Sequence, residues 1–239
     1  LAGPNKTDLK NGNGIYSAEN PLGRTVEFGI REFAMSALCS GMRLHGGLRP
    51  FCATFLVFAD YLRPQLRVAS LMKLPLIYIF THDSIYVGED GPTHQPVEVL
   101  ASLRAIPGVQ VLRPGDAQET AEAWNMAMES TDHPVCIVLT RQDLQGYEKE
   151  DSNWKENIKK GAYVAKKGTD NLDITVLATG SEVSLAIDAA NIAKSKGKNV
   201  RVLSVIDREL FANQPEQLQA TLIGQTKRVV TLEAGIRTG

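Results

Sequence analysis

The sequence predicts an α/β protein built as two three-layer α/β units, each with a mostly parallel sheet. Three observations support this. Strand-like and helix-like periodicities alternate along nearly the whole chain. The run Leu74-Pro75-Leu76-Ile77-Tyr78-Ile79-Phe80 is apolar on both faces, as a strand inside a parallel sheet must be. A polar stretch of mixed charge then divides the alternation into two, which places a first domain at residues 1–143, a linker at 144–160 and a second domain at 161–239.

Residues 1–24 are rich in Asn and Gly and read as irregular structure. Residues 26–29 read as a short strand. Residues 32–44 place Phe33, Ala37, Leu38 and Leu44 at helical spacing and so read as a helix with an apolar face. A strand near 51–55 and a helix near 61–72 precede the buried strand at 74–80. A polar loop at 81–96 follows, then a helix from about residue 97 and a strand at 109–112. The helix expected at 116–128 has Asp116 as its N-cap, and 135–139 reads as the last strand of the first domain. In the second, 174–178, 200–205 and 228–232 read as strands, with Ser181 capping a helix that runs to about residue 196.

Composition excludes several classes of function. Lys and Arg number 26 against 27 for Asp and Glu, so no broad field draws nucleic acid or an anionic membrane, and neither is expected as a partner. Cys39, Cys52 and Cys136 lie in apolar stretches without metal-ligand spacing and read as reduced core residues. No apolar run reaches the roughly 18 residues of a membrane span, and the start lacks a signal-peptide pattern, so a cytoplasmic location is expected. Leu1 is not an initiator Met, and the chain stops soon after an expected strand, so a fragment of a longer protein is expected.

The loop Thr81-His82-Asp83-Ser84-Ile85-Tyr86-Val87-Gly88-Glu89-Asp90-Gly91-Pro92-Thr93-His94-Gln95-Pro96 is the first candidate for chemistry. It follows a buried strand, and open α/β sheets bind ligands outside the carboxyl ends of their strands. It holds two of the four histidines, together with Asp83, Glu89 and Asp90. A solvated polar loop is the plain alternative. The spacing matches no zinc or EF-hand pattern, and no metal ligands are assigned.

This string resembles the signature loop of transketolases. Further matches are GIREFAM at residues 29–35, TFLVFADY at 54–61, Arg141 in LTRQDL, and VLATGSEV at 176–183. The resemblance covers nearly the whole chain and is weakest at residues 5–22 and 145–165. It implies a thiamine-diphosphate-binding fold followed by a transketolase C-terminal-like domain. It also implies transfer of a two-carbon ketol unit from a ketose phosphate to an aldose phosphate.

The resemblance also assigns roles. Glu32 would face the aminopyrimidine ring of thiamine diphosphate and stabilise its imino tautomer, which makes it a catalytic and a cofactor-binding residue. An acid that only complements a helix dipole is the alternative. Phe55, Phe58 and Tyr61 would hold the pyrimidine, although their spacing of three also suits a core stripe. His82, Asp90 and His94 would line the substrate channel, with Asp90 accepting from a sugar hydroxyl, His94 beside the reacting carbon and His82 towards the phosphate. Arg141 would bind that phosphate through its guanidinium fork.

The chain departs from the family pattern at three places. Pro4 stands where relatives often carry a phosphate-contacting serine. Tyr86 replaces a usual Gly or Ala, and Cys52-Ala53 replaces a frequent Gly pair, and both changes are expected to add bulk near the channel. No GDG-type motif for Mg²⁺ and the diphosphate is present; the family carries it in a separate N-terminal domain, and its complete enzymes are homodimers with the cofactor between subunits. This chain alone is therefore expected to be inactive. Dihydroxyacetone synthase shares the signature loop and stays open as an alternative. Deoxyxylulose-phosphate synthase-like enzymes and 2-oxoacid dehydrogenase β subunits rank lower because they usually lack it. A non-catalytic partner module is the alternative outside enzymes.

Overall fold

The computed structural model describes residues 11–236. The first sheet has the order β1-β2-β4-β3, with β1 at Phe51–Phe55, β2 at Ile77–Thr81, β3 at Gln110–Leu112 and β4 at Val135–Val138, all parallel. Its helices are α1 (Glu32–His45), α2 (Ala59–Leu71), α3 (Val99–Arg104) and α4 (Ala117–Glu129). Parallel neighbours need a crossover, and α2, α3 and α4 supply it. α4 begins at Asp116, whose carboxylate accepts from the Glu119 N–H at 2.9 Å, as the sequence leads one to expect.

The second sheet has the order β5-β7-β6-β8, with β5 at Ala162–Lys166, β6 at Ile174–Ala178, β7 at Val200–Val205 and β8 at Val229–Leu232. Only β5 runs antiparallel. A short helix α5 (Trp154–Ile158) precedes it, and α6 (Glu182–Ser195), α7 (Arg208–Ala212) and α8 (Glu216–Ile223) complete the unit.

Side chains along each strand alternate between layers. Tyr78, Phe80, Cys136 and Val138 pack with Met35, Leu62, Leu66 and Leu103 from α1, α2 and α3. Their neighbours Ile77, Ile79, Val135 and Ile137 face the other way. There they share one apolar layer with Met126 of α4, Val183 and Ala186 of α6, and Tyr163 and Val202 of the second sheet. Ala162, Val164, Leu203 and Val205 close the last layer with Phe211 and Leu222. The two units therefore share one buried apolar layer, at about 1.5–3 kcal/mol per buried large apolar side chain.

Several expectations need correction. Residues 26–29 are not a strand. They form a lead-in ending at Gly29 (φ 63°), where the Arg31 guanidinium donates to Phe28 O at 2.9 Å and turns the chain into α1. α1 buries Met35, Ser36, Cys39 and Ser40, whereas Phe33, Leu38 and Leu44 are about half exposed, so the apolar stripe does not face this chain's core. Ser181 precedes α6 without a side-chain cap, because its hydroxyl donates to Glu182 Oε1 at 2.6 Å instead. Cys52 and Ala53 point to opposite faces of the sheet, Cys52 into the apolar cluster that also holds Cys39, and neither adds bulk to the sheet's carboxyl edge. All three cysteines are buried free thiols.

Candidate active site

The candidate residues gather at the carboxyl edge of the first sheet. Phe55 ends β1 in register with Thr81, which ends β2, and Leu139 donates to Phe80 O at 2.7 Å just before Arg141. Glu32 starts α1 beside this edge, 6 % exposed, at the positive end of the helix dipole. Its carboxylate takes no hydrogen bond from a described residue. It opens into a cavity of about 480 Å³ lined by Ile30, Arg31, Glu32, Phe33, Ala34 and Tyr61. A buried acid with unused acceptors suits a ring nitrogen, and an apolar wall suits a flat heterocycle, so these residues fit an aminopyrimidine.

The aromatic rings form a series. Phe58 lies 5.9 Å from Tyr61 and 5.8 Å from Phe55, both stacked. Phe55 in turn stacks on His82 with ring centroids 3.6 Å apart, and His94 meets Phe58 edge-on at 5.4 Å. The alternative of a plain core stripe does not hold, because Tyr61 is 63 % exposed and Phe55 and Phe58 are only half-buried. The series joins the cavity beside Glu32 to the loop histidines.

His82 adopts the left-handed backbone (φ 61°), which is uncommon outside glycine. Its Nδ1 lies 2.9 Å from Thr81 Oγ1, and that of His94 lies 2.9 Å from Thr93 Oγ1. Burial pushes the His82 basicity down, and the positive charge of Arg141 adds to this, while Asp90 and Asp83 oppose it. Asp90, His94 and Arg141 are thus close enough to act electrostatically on His82. Asp90 and Arg141 are exposed. Tyr86 is also exposed, within the 3-10 turn Ile85–Val87. Pro4 lies outside the described residues.

Sequence reasoning missed the polar network behind the loop. Asp83 is fully buried and accepts from Arg113 Nε at 2.8 Å. Arg113, also fully buried at the end of β3, donates through Nη1 to Thr179 O at 2.8 Å and to Glu182 Oε2 at 2.5 Å, both in the second unit. A charged residue after a strand reads as exposed, and no local signal would have revealed this burial. Among the described residues no group of three or more His, Cys, Asp and Glu gathers as a metal site. A further cavity of about 280 Å³, at the carboxyl ends of β6 and β8, contains none of the candidate residues.

Comparison with known proteins gives two family matches. Residues 5–146 match the model described as transketolase, pyrimidine binding domain, and residues 161–239 match the transketolase-like TK C-terminal domain. A transketolase from Treponema pallidum is 52 % identical over 240 residues, covering 100 % of this chain and 36 % of its own length. A solved transketolase from Pichia stipitis, in complex with xylulose 5-phosphate, is 36 % identical with a TM-score of 0.91 and is covered over 36 % of its length by all of this chain. A transketolase structure from Leishmania mexicana is 41 % identical with a TM-score of 0.86, over 95 % of this chain and 33 % of its own. The chain spans about a third of the length of the curated relatives it matches.

Proposed function

The chain belongs to the transketolase family, and on that premise we propose that it supplies the pyrimidine half of a thiamine-diphosphate site and the sugar-phosphate channel beside it. The whole enzyme would transfer a two-carbon ketol unit from a ketose phosphate to an aldose phosphate. Residues 1–143 act as the pyrimidine-binding domain, 144–160 as the connection and 161–239 as the C-terminal domain. One observation carries the reading: an aromatic series links a buried, unengaged carboxylate to the paired histidines of the polar loop.

The chemistry supplied by bound thiamine diphosphate is a nucleophilic thiazolium carbon able to add to a ketose carbonyl. Glu32 would hold the pyrimidine ring nitrogen of the cofactor through its carboxyl group. Phe55, Phe58 and Tyr61 would stack on the pyrimidine and keep water from it. His94, at the edge of Phe58, moves protons at the sugar hydroxyl beside the reacting carbon. Asp90 accepts from a hydroxyl farther along the sugar.

Arg141 and His82 take the phosphate at the far end. With its basicity lowered, His82 is neutral near pH 7. When Thr81 Oγ1 donates to Nδ1, the ring proton sits on Nε2 and is free to donate to a phosphate oxygen. The diphosphate and its Mg²⁺ are assigned to a separate domain of the enzyme. Exposed Ile30 and Phe33 at the cavity, with exposed Leu38 farther along α1, support a homodimer in which the cofactor is held between subunits.

The test is Glu32→Gln in the complete enzyme, with proton exchange at the thiazolium carbon followed by NMR. The amide keeps size and hydrogen bonding but loses the ionisable proton, so exchange should slow by about 10²- to 10⁴-fold, the usual span of general acid/base effects. A rate within about threefold of the unmodified enzyme, far short of that span, would remove Glu32 from the mechanism.

A further inference from the structure

The loop that carries His82 is held from the second unit. β3 ends at Leu112, and there the Arg113 N–H donates to Ile206 O at 2.9 Å while its carbonyl accepts from the Gly180 N–H at 3.1 Å. These contacts join the carboxyl end of β3 to the chain just beyond β6 and β7. The Arg113 side chain reaches back past β4 to Asp83, the residue after His82. Glu182 braces the guanidinium from the first turn of α6, and its own carboxylate accepts from Ser181 Oγ at 2.6 Å and from the Ala234 N–H at 3.1 Å. Gly180 is left-handed (φ 61°), and a Cβ there would fall 2.6 Å from Arg113 Cζ, so the guanidinium has no room to move that way. The far end of the same loop is tied to the second unit as well, because the Ile236 N–H donates to Val97 O at 3.1 Å.

Burying two carboxylates and one guanidinium is poor economy for stability alone, since desolvation offsets much of the attraction. Arg113 Nη2 lies 2.8 Å from Asp83 Oδ2 but off the hydrogen-bonding direction, and it and Asp83 Oδ1 are left without partners among the described residues. An imperfectly satisfied buried network calls for a role beyond stability. Here it sits one residue from a strained histidine at the candidate phosphate end of the site.

We propose that Arg113, braced by Glu182, is a positioning residue: through Asp83 it fixes the left-handed turn that seats the His82 ring on Phe55 and aims it at the substrate phosphate. The second unit thus sets how the enzyme reads the donor phosphate, without touching substrate. This inference rests on the reading of His82 as a phosphate contact.

The experiment uses the complete, cofactor-loaded enzyme and compares kcat/KM for a phosphorylated ketose donor with that for a non-phosphorylated one, in the unmodified enzyme, His82→Ala, Glu182→Gln and the double variant. Glu182→Gln keeps the shape of the brace and removes its charge. It should lower the phosphorylated-to-free preference by about 3- to 30-fold, the range set by weakening one or two polar contacts. Thiazolium proton exchange, which depends on Glu32, should hold. In the His82→Ala background Glu182→Gln should change the preference no further, a non-additivity that a general loss of stability would not produce. If Glu182→Gln does not fold, Arg113→Lys, which keeps the charge but loses the fork, replaces it in the same cycle. An unchanged preference, or an effect of equal size with and without His82, overturns the positioning role. If His82→Ala itself leaves the preference unchanged, the assignment of His82 to the phosphate fails first.

Discussion

Removing the carboxylate of Glu119 should unseat both units and the connection between them. Glu119 is fully buried in the first turn of α4, where Oε1 accepts from Tyr147 at 2.5 Å and Tyr163 at 2.7 Å, and Oε2 accepts from the Gly115 N–H at 2.7 Å. The donors come from the first unit, the connecting stretch and β5. Hydrogen bonds to a charged acceptor contribute about 1.5–3 kcal/mol each, but burying the charge offsets part of their sum. Glu119→Ala orphans three donors and opens a void, so a loss of about 3–5 kcal/mol is expected, the cost of breaking a buried charged set. Glu119→Gln should lose less, about 1–3 kcal/mol, because the amide oxygen can still serve Gly115 while its N–H donates to a tyrosine oxygen. Urea unfolding followed by fluorescence reads this locally. The protein has two tryptophans: Trp154 packs on Tyr163 at 5.6 Å, and Trp124 packs on Phe51 at 5.4 Å. Single-tryptophan variants should show the Trp154 transition moving to lower urea at least as far as the Trp124 transition. A loss below about 1 kcal/mol for Glu119→Ala, less than one charge-assisted bond, would refute the reasoning.

The same cluster sets an alkaline limit. Burial first, then the Glu119 charge, pushes the Tyr147 and Tyr163 hydroxyls up. A raised folded-state pKa gives stability that is fully present below the unfolded tyrosine pKa of about 10 and is lost as pH rises beyond it. Urea midpoints should therefore fall above about pH 10, and less steeply in the Tyr147→Phe/Tyr163→Phe variant. At the site, Asp90→Ala in the complete enzyme should lower kcat/KM by about 10- to 150-fold, equivalent to roughly 1.5–3 kcal/mol, for donors whose hydroxyl configuration it reads. Equal losses for donors of both configurations would count against that contact.

Local signals explain which elements were readable. β2 is apolar at every position, the N-cap Asp116 announces α4, and the strands at 174–178 and 200–205 appear where their β-branched runs lie. α5 and β5 carry weaker signals: Trp154, Ile158, Tyr163 and Val164 are interspersed with lysines, and β5 is defined by long-range antiparallel pairing with β7. Helical periodicity in α1 correctly marked a helix but not its inner face. Phe33, Leu38 and Leu44 are apolar yet half exposed, while Ser36 and Ser40 are buried because Ser36 meets the Tyr78 hydroxyl at 3.0 Å and Ser40 donates to Ser36 O. A pattern shows that a face is apolar, but not what covers it. At the site, the resemblance to transketolases pointed to Glu32, the aromatic trio and the loop histidines, whereas spacing alone left the trio open to a core stripe. The Asp83–Arg113–Glu182 network depends on tertiary placement alone, since its members are 30 and 69 residues apart.

The loop's construction explains why a residue as bulky as Tyr86 can sit inside so tightly turned a loop. Its ends are fixed: Asp83, Ser84 and Val87 are buried on one side, Pro96 and Val99 on the other. Between them the chain turns on left-handed Gly88 and Gly91, with Gly91 N–H donating to Gly88 O and His94 N–H to Gly91 O, so the backbone path needs little from the intervening side chains. Tyr86, Glu89 and Asp90 project outward from that path and do not compete with its packing. Changing one of them alters what a ligand meets without moving His82 or His94, whose places depend on Phe55 and Phe58. What the loop presents outward can therefore vary at Tyr86 and Asp90 while His82 and His94 stay put. Asp83, buried against Arg113, belongs to the fixed part, and a change there would disturb every residue the loop presents.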